Sequence, residues 1–119
     1  KAYQLGLDGV IVSNHGGRQV DVGQATIDAL KTIAPLYKGK LTVMMDSGIR
    51  GGADVARVMA SGADFSFMGR TFMYGVSALG KKGGNHTISM LKQQLTQVME
   101  QMSCAEISNL QSKLIQENN

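Results

Sequence analysis

The fold is decided by the stretch DSGIRGGAD at residues 46–54. It follows the apolar run LTVMM at 41–45, which predicts a buried strand, and precedes VARVMA at 55–60, which predicts a helix. Glycines let the backbone approach an anion, and a helix start offers unpaired N–H groups, so this loop can hold a phosphate. Arg50 adds a charged, planar donor. The alternative is a plain strand-to-helix turn with a solvated arginine.

A second predicted strand ends in the same way. Residues 64–68 (DFSFM) form it, and Gly69 and Arg70 follow before a short helix predicted at about 71–79. In a βα barrel, phosphate binds at the loops after the last two strands. Two successive strands that end in glycine and arginine therefore favour a phosphate site.

A third unit precedes these two. Residues 9–12 (GVIV) predict a short strand, NHGGRQ at 14–19 predicts a loop, and a helix is expected over about 25–34, with Pro35 near its end. Apolar strands that alternate with helices predict a parallel sheet covered by helices. Gly6 is expected to stop a helix already under way at residue 1, so the sequence is expected to begin inside a larger fold.

The C-terminal part of the sequence predicts helix. Residues 80–84 (GKKGG) predict a loop, and Asn85 is expected to cap a long helix over about 86–102. Its spacing of apolar residues suits packing on a sheet better than a short coiled coil. The apolar face of this helix is predicted to contain Ile88, Leu91, Leu95, Val98 and Met102. The tail from 104 to 119 carries a weak helical pattern and a polar end that is expected to fray.

Composition limits the classes of function. The chain has 119 residues, enough for one domain, and a net charge of +3 without a dense Lys/Arg run, so a nucleic-acid partner is not indicated. An anionic cofactor or substrate fits better. No apolar run is long enough to span a bilayer. The single Cys104 excludes an internal disulfide and a cysteine metal cluster, and a reducing compartment is expected.

His15 and Arg18 lie just past the first predicted strand, the position where βα barrels carry out chemistry. A histidine can take up a proton near neutral pH, and an arginine three residues later can bind a carboxylate with two parallel hydrogen bonds. This pair suits removal of a proton from the carbon or the hydroxyl of a small hydroxy acid. The alternative is a histidine that caps a turn and an arginine paired with Asp21.

Together, SNHGGRQ at 13–19, the loop at 46–54 and Gly69-Arg70 resemble one family. It is the FMN-dependent α-hydroxy acid dehydrogenase/oxidase family, which includes glycolate oxidase, lactate oxidase, lactate dehydrogenase, mandelate dehydrogenase and flavocytochrome b2. The resemblance covers Gly6 to about Leu110, and residues 64–101 are most similar to the bacterial lactate dehydrogenase branch. It implies that residues 1–119 are one α/β domain, the C-terminal part of a TIM (β/α)8 barrel. The three βα units would correspond to strands six to eight.

The resemblance implies a role for seven residues. His15 would be the base that removes the substrate proton, and Arg18 would bind the substrate carboxylate. FMN would be the cofactor, and the residues that would line its ribityl chain and phosphate are Asp46, Gly48, Arg50, Gly69 and Arg70. No metal site is implied.

The loop at 46–54 departs from the family's usual Asp-Gly-Gly-Val-Arg-Arg-Gly-Thr-Asp. Ser47 stands in place of a glycine, Gly51 in place of the second arginine, and Ala53 in place of threonine. The family's lysine beside the flavin, the aspartate that orients the histidine, and the tyrosines of the substrate pocket are expected upstream of residue 1. Weak or no FMN binding, and no turnover, are therefore expected of the isolated chain.

The implied activity is oxidation of a small L-2-hydroxy acid, of the lactate or glycolate type, to the 2-keto acid. Electrons would pass to FMN and then to oxygen, a quinone or a cytochrome. Three parallel strands leave two edges unpaired, so the chain is expected to oligomerise, to swap elements or to need further strands. A cytoplasmic protein is expected, or one peripheral to the inner face of a membrane. Two alternatives stay open: a truncated, inactive chain that serves as a structural or binding unit, and another phosphate-binding barrel of the IMP dehydrogenase type.

Overall fold

A computed structural model describes residues 1–114, which form three parallel strands and four α-helices. In chain order these are β1 (Gly9–Val12), α1 (Thr26–Tyr37), β2 (Thr42–Met45), α2 (Gly52–Ala60), β3 (Phe65–Ser66), α3 (Arg70–Leu79) and α4 (Gly83–Gln101). Short 3₁₀ segments lie at Tyr3–Leu5, His15–Gly17, Gly80–Lys82 and Ile107–Lys113. Each predicted strand and each helix predicted between residues 25 and 102 is present, whereas the helical segments predicted near the two ends of the chain are 3₁₀.

The three strands pair in the order β1-β2-β3, and both pairings are parallel. Gly9 lies opposite Thr42, and Met44 lies opposite Phe65. Each strand therefore lies beside the one before it in the chain, and right-handed crossovers then bring successive helices to the same face of the sheet. A barrel has this winding throughout, whereas a doubly wound sheet reverses its strand order at one point.

The core lies between β2 and the helices on that face. Val43 and Met45 are buried there together with Leu30 of α1 and Val58 of α2. Side chains alternate along a strand, so the intervening residues face the other side of the sheet. On that side Ile11 is 52% and Phe65 is 55% exposed. This second face corresponds to the interior of a closed barrel.

Two elements differ in length from prediction. β3 has two residues instead of five. Backbone hydrogen bonds from Asp64 N to Val43 O (2.8 Å) and from Phe67 N to Met45 O (2.9 Å) flank it, so the contact with β2 extends beyond the strand itself. α1 continues through Pro35 to Tyr37. The proline removes one helical hydrogen bond near the end of the helix, where the loss is small enough for the last turn to form.

The start of α4 also differs from prediction. Gly80–Lys82 form a 3₁₀ turn joined directly to the helix, which begins at Gly83, so Asn85 lies in the first turn and is not the cap. The cause is contact between backbones: a Cβ added to Gly83 would lie 2.2 Å from the Gly75 carbonyl oxygen. On this helix Thr87 is buried, whereas Ile88, predicted on the packed face, is 45% exposed. The prediction that the helix packs on a sheet was wrong, since α4 packs on α2 and α3.

The two ends of the chain follow the sequence pattern in part. Gly6 has a φ of +76° and ends the 3₁₀ turn Tyr3–Leu5, as expected of a stop residue. In the tail, Leu110 is buried against α2. The predicted fraying, and Ile115 of the weak helical pattern, lie outside the described residues. Among the helices of residues 1–114, none combines the length and the apolar character needed to cross a bilayer.

Candidate active site

A cavity of about 750 Å³ opens at the carboxyl ends of the three strands. All seven residues that the sequence singled out line it: His15, Arg18, Asp46, Gly48, Arg50, Gly69 and Arg70. They come from the loops after β1, β2 and β3. Parallel strands explain this convergence, because their carboxyl ends meet at one edge of the sheet.

The loop after β1 has an unusual backbone. His15, Gly16 and Gly17 have φ values of +54°, +68° and +75°, all in the left-handed region that L side chains rarely adopt. The His15 N–H donates to Ser13 Oγ (3.1 Å), and the Gly16 N–H donates to Asn14 Oδ1 (3.1 Å). This turn presents the exposed His15 side chain to the cavity.

Arg18 is exposed and lines the same cavity. The alternative pairing with Asp21 is absent: over residues 1–114 the ion pair that forms joins Arg57 and Asp54. The guanidinium of Arg18 is therefore open to a ligand carboxylate.

Three backbone N–H groups at the start of α2 already have acceptors within the protein, contrary to the sequence expectation of unpaired groups. Asp54 Oδ2 accepts the N–H groups of Arg50 (3.0 Å) and Gly51 (3.2 Å), and Gln94 Oε1 of α4 accepts that of Gly52 (2.9 Å). The protein's own side chains thus satisfy these N–H groups. The other candidate donors for an anion at this edge of the sheet are arginine side chains and the start of α3.

Those donors are present across the cavity. Arg50 and Arg70 both line it, and α3 begins at Arg70, so the first N–H groups of that helix have no carbonyl partner within it. A Cβ added to Gly48 or Gly69 would meet nothing within 4 Å, which leaves their backbone open to a ligand. Two guanidinium groups beside bare backbone suit the phosphate and ribityl chain of a flavin nucleotide.

The loops are joined by contacts that the sequence did not predict. Thr71 Oγ1 donates to the Arg50 carbonyl (3.1 Å), and Arg70 Nη2 donates to the Gly16 carbonyl (2.7 Å). Ser47 Oγ accepts the Gly16 N–H (3.0 Å) and donates to Asp46 Oδ1 (2.6 Å). Of these contacts, only those made by Ser47 were indicated in the sequence, because a serine stands there where the family usually has glycine.

Comparison with known proteins identifies the family. The sequence model described as FMN-dependent dehydrogenase matches residues 1–117. The chain is 40% identical over 114 residues to an L-lactate dehydrogenase of Alcaligenes faecalis, covering 96% of this chain and 30% of that protein. It is also 40% identical over 110 residues to the peroxisomal (S)-2-hydroxyacid oxidase GLO3 of Arabidopsis thaliana, covering 92% of this chain and 30% of the oxidase.

Solved structures agree with this match. A lactate oxidase of Pediococcus acidilactici superposes with a TM-score of 0.89 at 35% identity, over 98% of this chain and 33% of the oxidase. A mandelate oxidase mutant solved with a monooxide FMN adduct gives a TM-score of 0.87 at 33% identity, over 92% of this chain and 35% of the mutant. The chain thus spans about a third of the length of these proteins, and its three βα units are part of a (β/α)8 barrel. It belongs to the FMN-dependent dehydrogenase family, whose cofactor is FMN.

Proposed function

We propose that this chain is the part of an FMN-dependent oxidoreductase that holds the base and the cofactor phosphate during oxidation of a small L-2-hydroxy acid. The substrate would be of the lactate or glycolate type, and the product its 2-keto acid. One observation carries the proposal: His15 and Arg18 share a cavity with Arg50 and Arg70. One site then contains a proton acceptor, a hydrogen-bond donor for the substrate carboxylate and two hydrogen-bond donors for the cofactor phosphate.

In this proposal His15 and Arg18 act on the substrate. Arg18 binds the carboxylate through two parallel hydrogen bonds, which fixes the hydroxyl-bearing carbon beside His15. His15 accepts one proton as that carbon is oxidised. The substrate loses two protons and two electrons in all, and FMN, when bound, would supply an acceptor for the two electrons together with the second proton. The substrate leaves as a 2-keto acid, and the proton on His15 is released to solvent.

The remaining site residues hold the cofactor. Arg50 and Arg70 would bind its phosphate through their guanidinium groups, and the backbone at Gly69 would approach the same group. Asp46 and Gly48 would line the ribityl chain. Bare backbone at both glycines supports this assignment, because a side chain there would enter the space that the cofactor needs.

We propose further that residues 1–119 are one partial-barrel domain that requires the other strands of a barrel for activity. The open face with Ile11 and Phe65 supports this, since exposed strands of this kind associate. The isolated chain would bind FMN weakly or not at all and would form homo-oligomers; a stable monomer by light scattering at high dilution would contradict this.

Oxygen, a quinone or a cytochrome would accept the electrons, in the cytoplasm or at the inner face of a membrane.

The proposal is tested by the range of compounds that reduce the flavin. In the complete enzyme that carries this segment, L-lactate or glycolate should bleach the FMN absorbance under anaerobic conditions. Lactamide, which keeps the hydroxyl but has no carboxylate, should reduce FMN at least tenfold more slowly, since a charge-assisted bidentate contact is lost. Equal rates with acid and amide would contradict the role of Arg18. A folded protein without flavin absorbance would favour the structural-unit alternative.

Arg50→Ala should weaken FMN binding with little effect on chemistry in flavin-saturated enzyme. Loss of a charge-assisted contact to phosphate should raise the FMN dissociation constant about 10- to 100-fold. Fluorescence titration of apoenzyme with FMN measures this. Arg57→Ala is the matched control, because Arg57 is an exposed arginine outside this cavity. Equal FMN affinity in the two variants would refute the phosphate role of Arg50.

A further inference from the structure

The Ser47 side chain joins two of the loops that form the cavity. Its hydroxyl accepts the Gly16 N–H (3.0 Å) from the loop after β1 and donates to Asp46 Oδ1 (2.6 Å) at the end of β2. Ser47 itself has a φ of +74°, a left-handed conformation that glycine adopts freely and serine does not. The backbone at this position thus favours glycine, whereas the hydrogen bonds require a hydroxyl.

Gly16, the residue that Ser47 contacts, is held from both sides. Its N–H is shared between Asn14 Oδ1 (3.1 Å) and Ser47 Oγ, and its carbonyl accepts a hydrogen bond from Arg70 Nη2 (2.7 Å). The preceding residue, His15, is itself left-handed, with a φ of +54°. A strained turn persists only when its surroundings hold it, and Ser47 and Arg70 are the contacts here from beyond the loop.

The imidazole of His15 has no such support of its own. Within residues 1–114 its ring nitrogens make no hydrogen bond to protein, and the side chain is exposed. Within this segment the direction of the ring therefore depends on the backbone of residues 14–17. A contact that fixes Gly16 also fixes the base one residue earlier.

We propose that Ser47 is a positioning residue: its hydroxyl links the Gly16 N–H to the Asp46 carboxylate and thereby holds His15 in place for proton transfer. This rests on the proposed function of His15. Arg70 completes the link from the other side, so the phosphate-binding edge of the cavity and the base share one network of hydrogen bonds.

Two variants separate this role from a general effect on stability. Ser47→Gly removes the hydroxyl and relieves the left-handed strain, so the protein should fold with an unchanged or higher thermal midpoint. Ser47→Ala removes the hydroxyl and keeps the strain, so its thermal midpoint should be lower. Ser47→Asn supplies a carbonyl acceptor and an amide donor on a residue that tolerates this conformation, and it should restore the link.

Amide hydrogen exchange in the complete, FMN-loaded enzyme without substrate measures directly how firmly the Ser47 hydroxyl holds the loop. Exchange over residues 13–19 should rise about 3- to 10-fold in both Ser47→Gly and Ser47→Ala, the size expected for one lost hydrogen bond. The rate of flavin reduction should fall about tenfold or more in both, and Ser47→Asn should recover most of each loss. If Ser47→Gly and Ser47→Ala differ in thermal stability but show the same rise in exchange and the same fall in the rate of flavin reduction, the loss is due to positioning and not to stability.

Two results would overturn the proposal. One is unchanged exchange over residues 13–19 in Ser47→Gly, which would show that the hydroxyl does not hold the loop. The other is faster exchange with a wild-type rate of flavin reduction, which would show that the loop's order does not matter to the base. If no L-2-hydroxy acid reduces the wild-type flavin, the proposed function itself fails. The exchange measurement needs no turnover, so it still shows whether the Ser47 hydroxyl holds the loop.

Discussion

His15→Gln is expected to lower the rate constant of flavin reduction by about 10²- to 10⁴-fold, the usual contribution of a general base. Glutamine keeps a polar side chain of similar length but cannot accept the proton. FMN should stay bound with near wild-type affinity, because Arg50 and Arg70, which we propose bind its phosphate, are unchanged and lie on other loops. Anaerobic stopped-flow mixing of the flavin-loaded variant with L-lactate measures the rate constant directly.

The matched control is His86→Gln. His86 is the second histidine of the chain and lies exposed on α4, away from the cavity. This variant should reduce its flavin at the wild-type rate. A His15→Gln enzyme that is as fast as His86→Gln would show that another group is the base.

Arg18→Lys is expected to lower kcat/KM about 10- to 100-fold, through both a higher KM and a slower reduction step. Lysine keeps the positive charge but loses the planar fork that grips both carboxylate oxygens. In the proposed role Arg18 holds the carboxylate in both the ground state and the transition state, so both constants should change. Because Arg18 is exposed and makes no ion pair in residues 1–114, the substitution should leave the thermal midpoint unchanged.

Arg57→Lys is the control for this substitution, since it makes the same chemical change at an exposed surface position. It should leave kcat/KM within twofold of wild type. If Arg18→Lys changes only KM, the arginine binds substrate uniformly and does not assist the chemical step. If neither constant changes, Arg18 does not bind the carboxylate.

The sequence predicted the order of the elements because each strand is a short apolar run between glycine-rich loops. It also predicted that His15, Arg18, Arg50 and Arg70 meet, since parallel strands bring their carboxyl-end loops to one edge. The family resemblance was confirmed by the match over residues 1–117. The individual roles of these residues stay predictions.

Other features depend on contacts between distant parts of the chain and were wrong or missed. The start of α2 looked open to phosphate, but Asp54 from its own first turn and Gln94 from α4, 42 residues further on, occupy it. The start of α4 was misplaced because the direct contact between Gly75 and Gly83 has no local signature. Likewise, the Ser47 hydroxyl reaches Gly16 across 31 residues, and only the folded arrangement shows that link.

The central claim is that this segment supplies two groups for oxidation of a hydroxy acid by FMN: the base, and the arginine that binds the substrate carboxylate. A single-turnover experiment tests it most directly: the complete flavin-loaded enzyme is mixed anaerobically with L-lactate, either unlabelled or deuterated at C2. We expect one 2-keto acid per flavin reduced, slower reduction of the flavin by the deuterated acid, and reduction about 10²- to 10⁴-fold slower in His15→Gln. A flavin that stays oxidised with L-lactate and with glycolate, or one that His15→Gln reduces at the wild-type rate, would contradict the account.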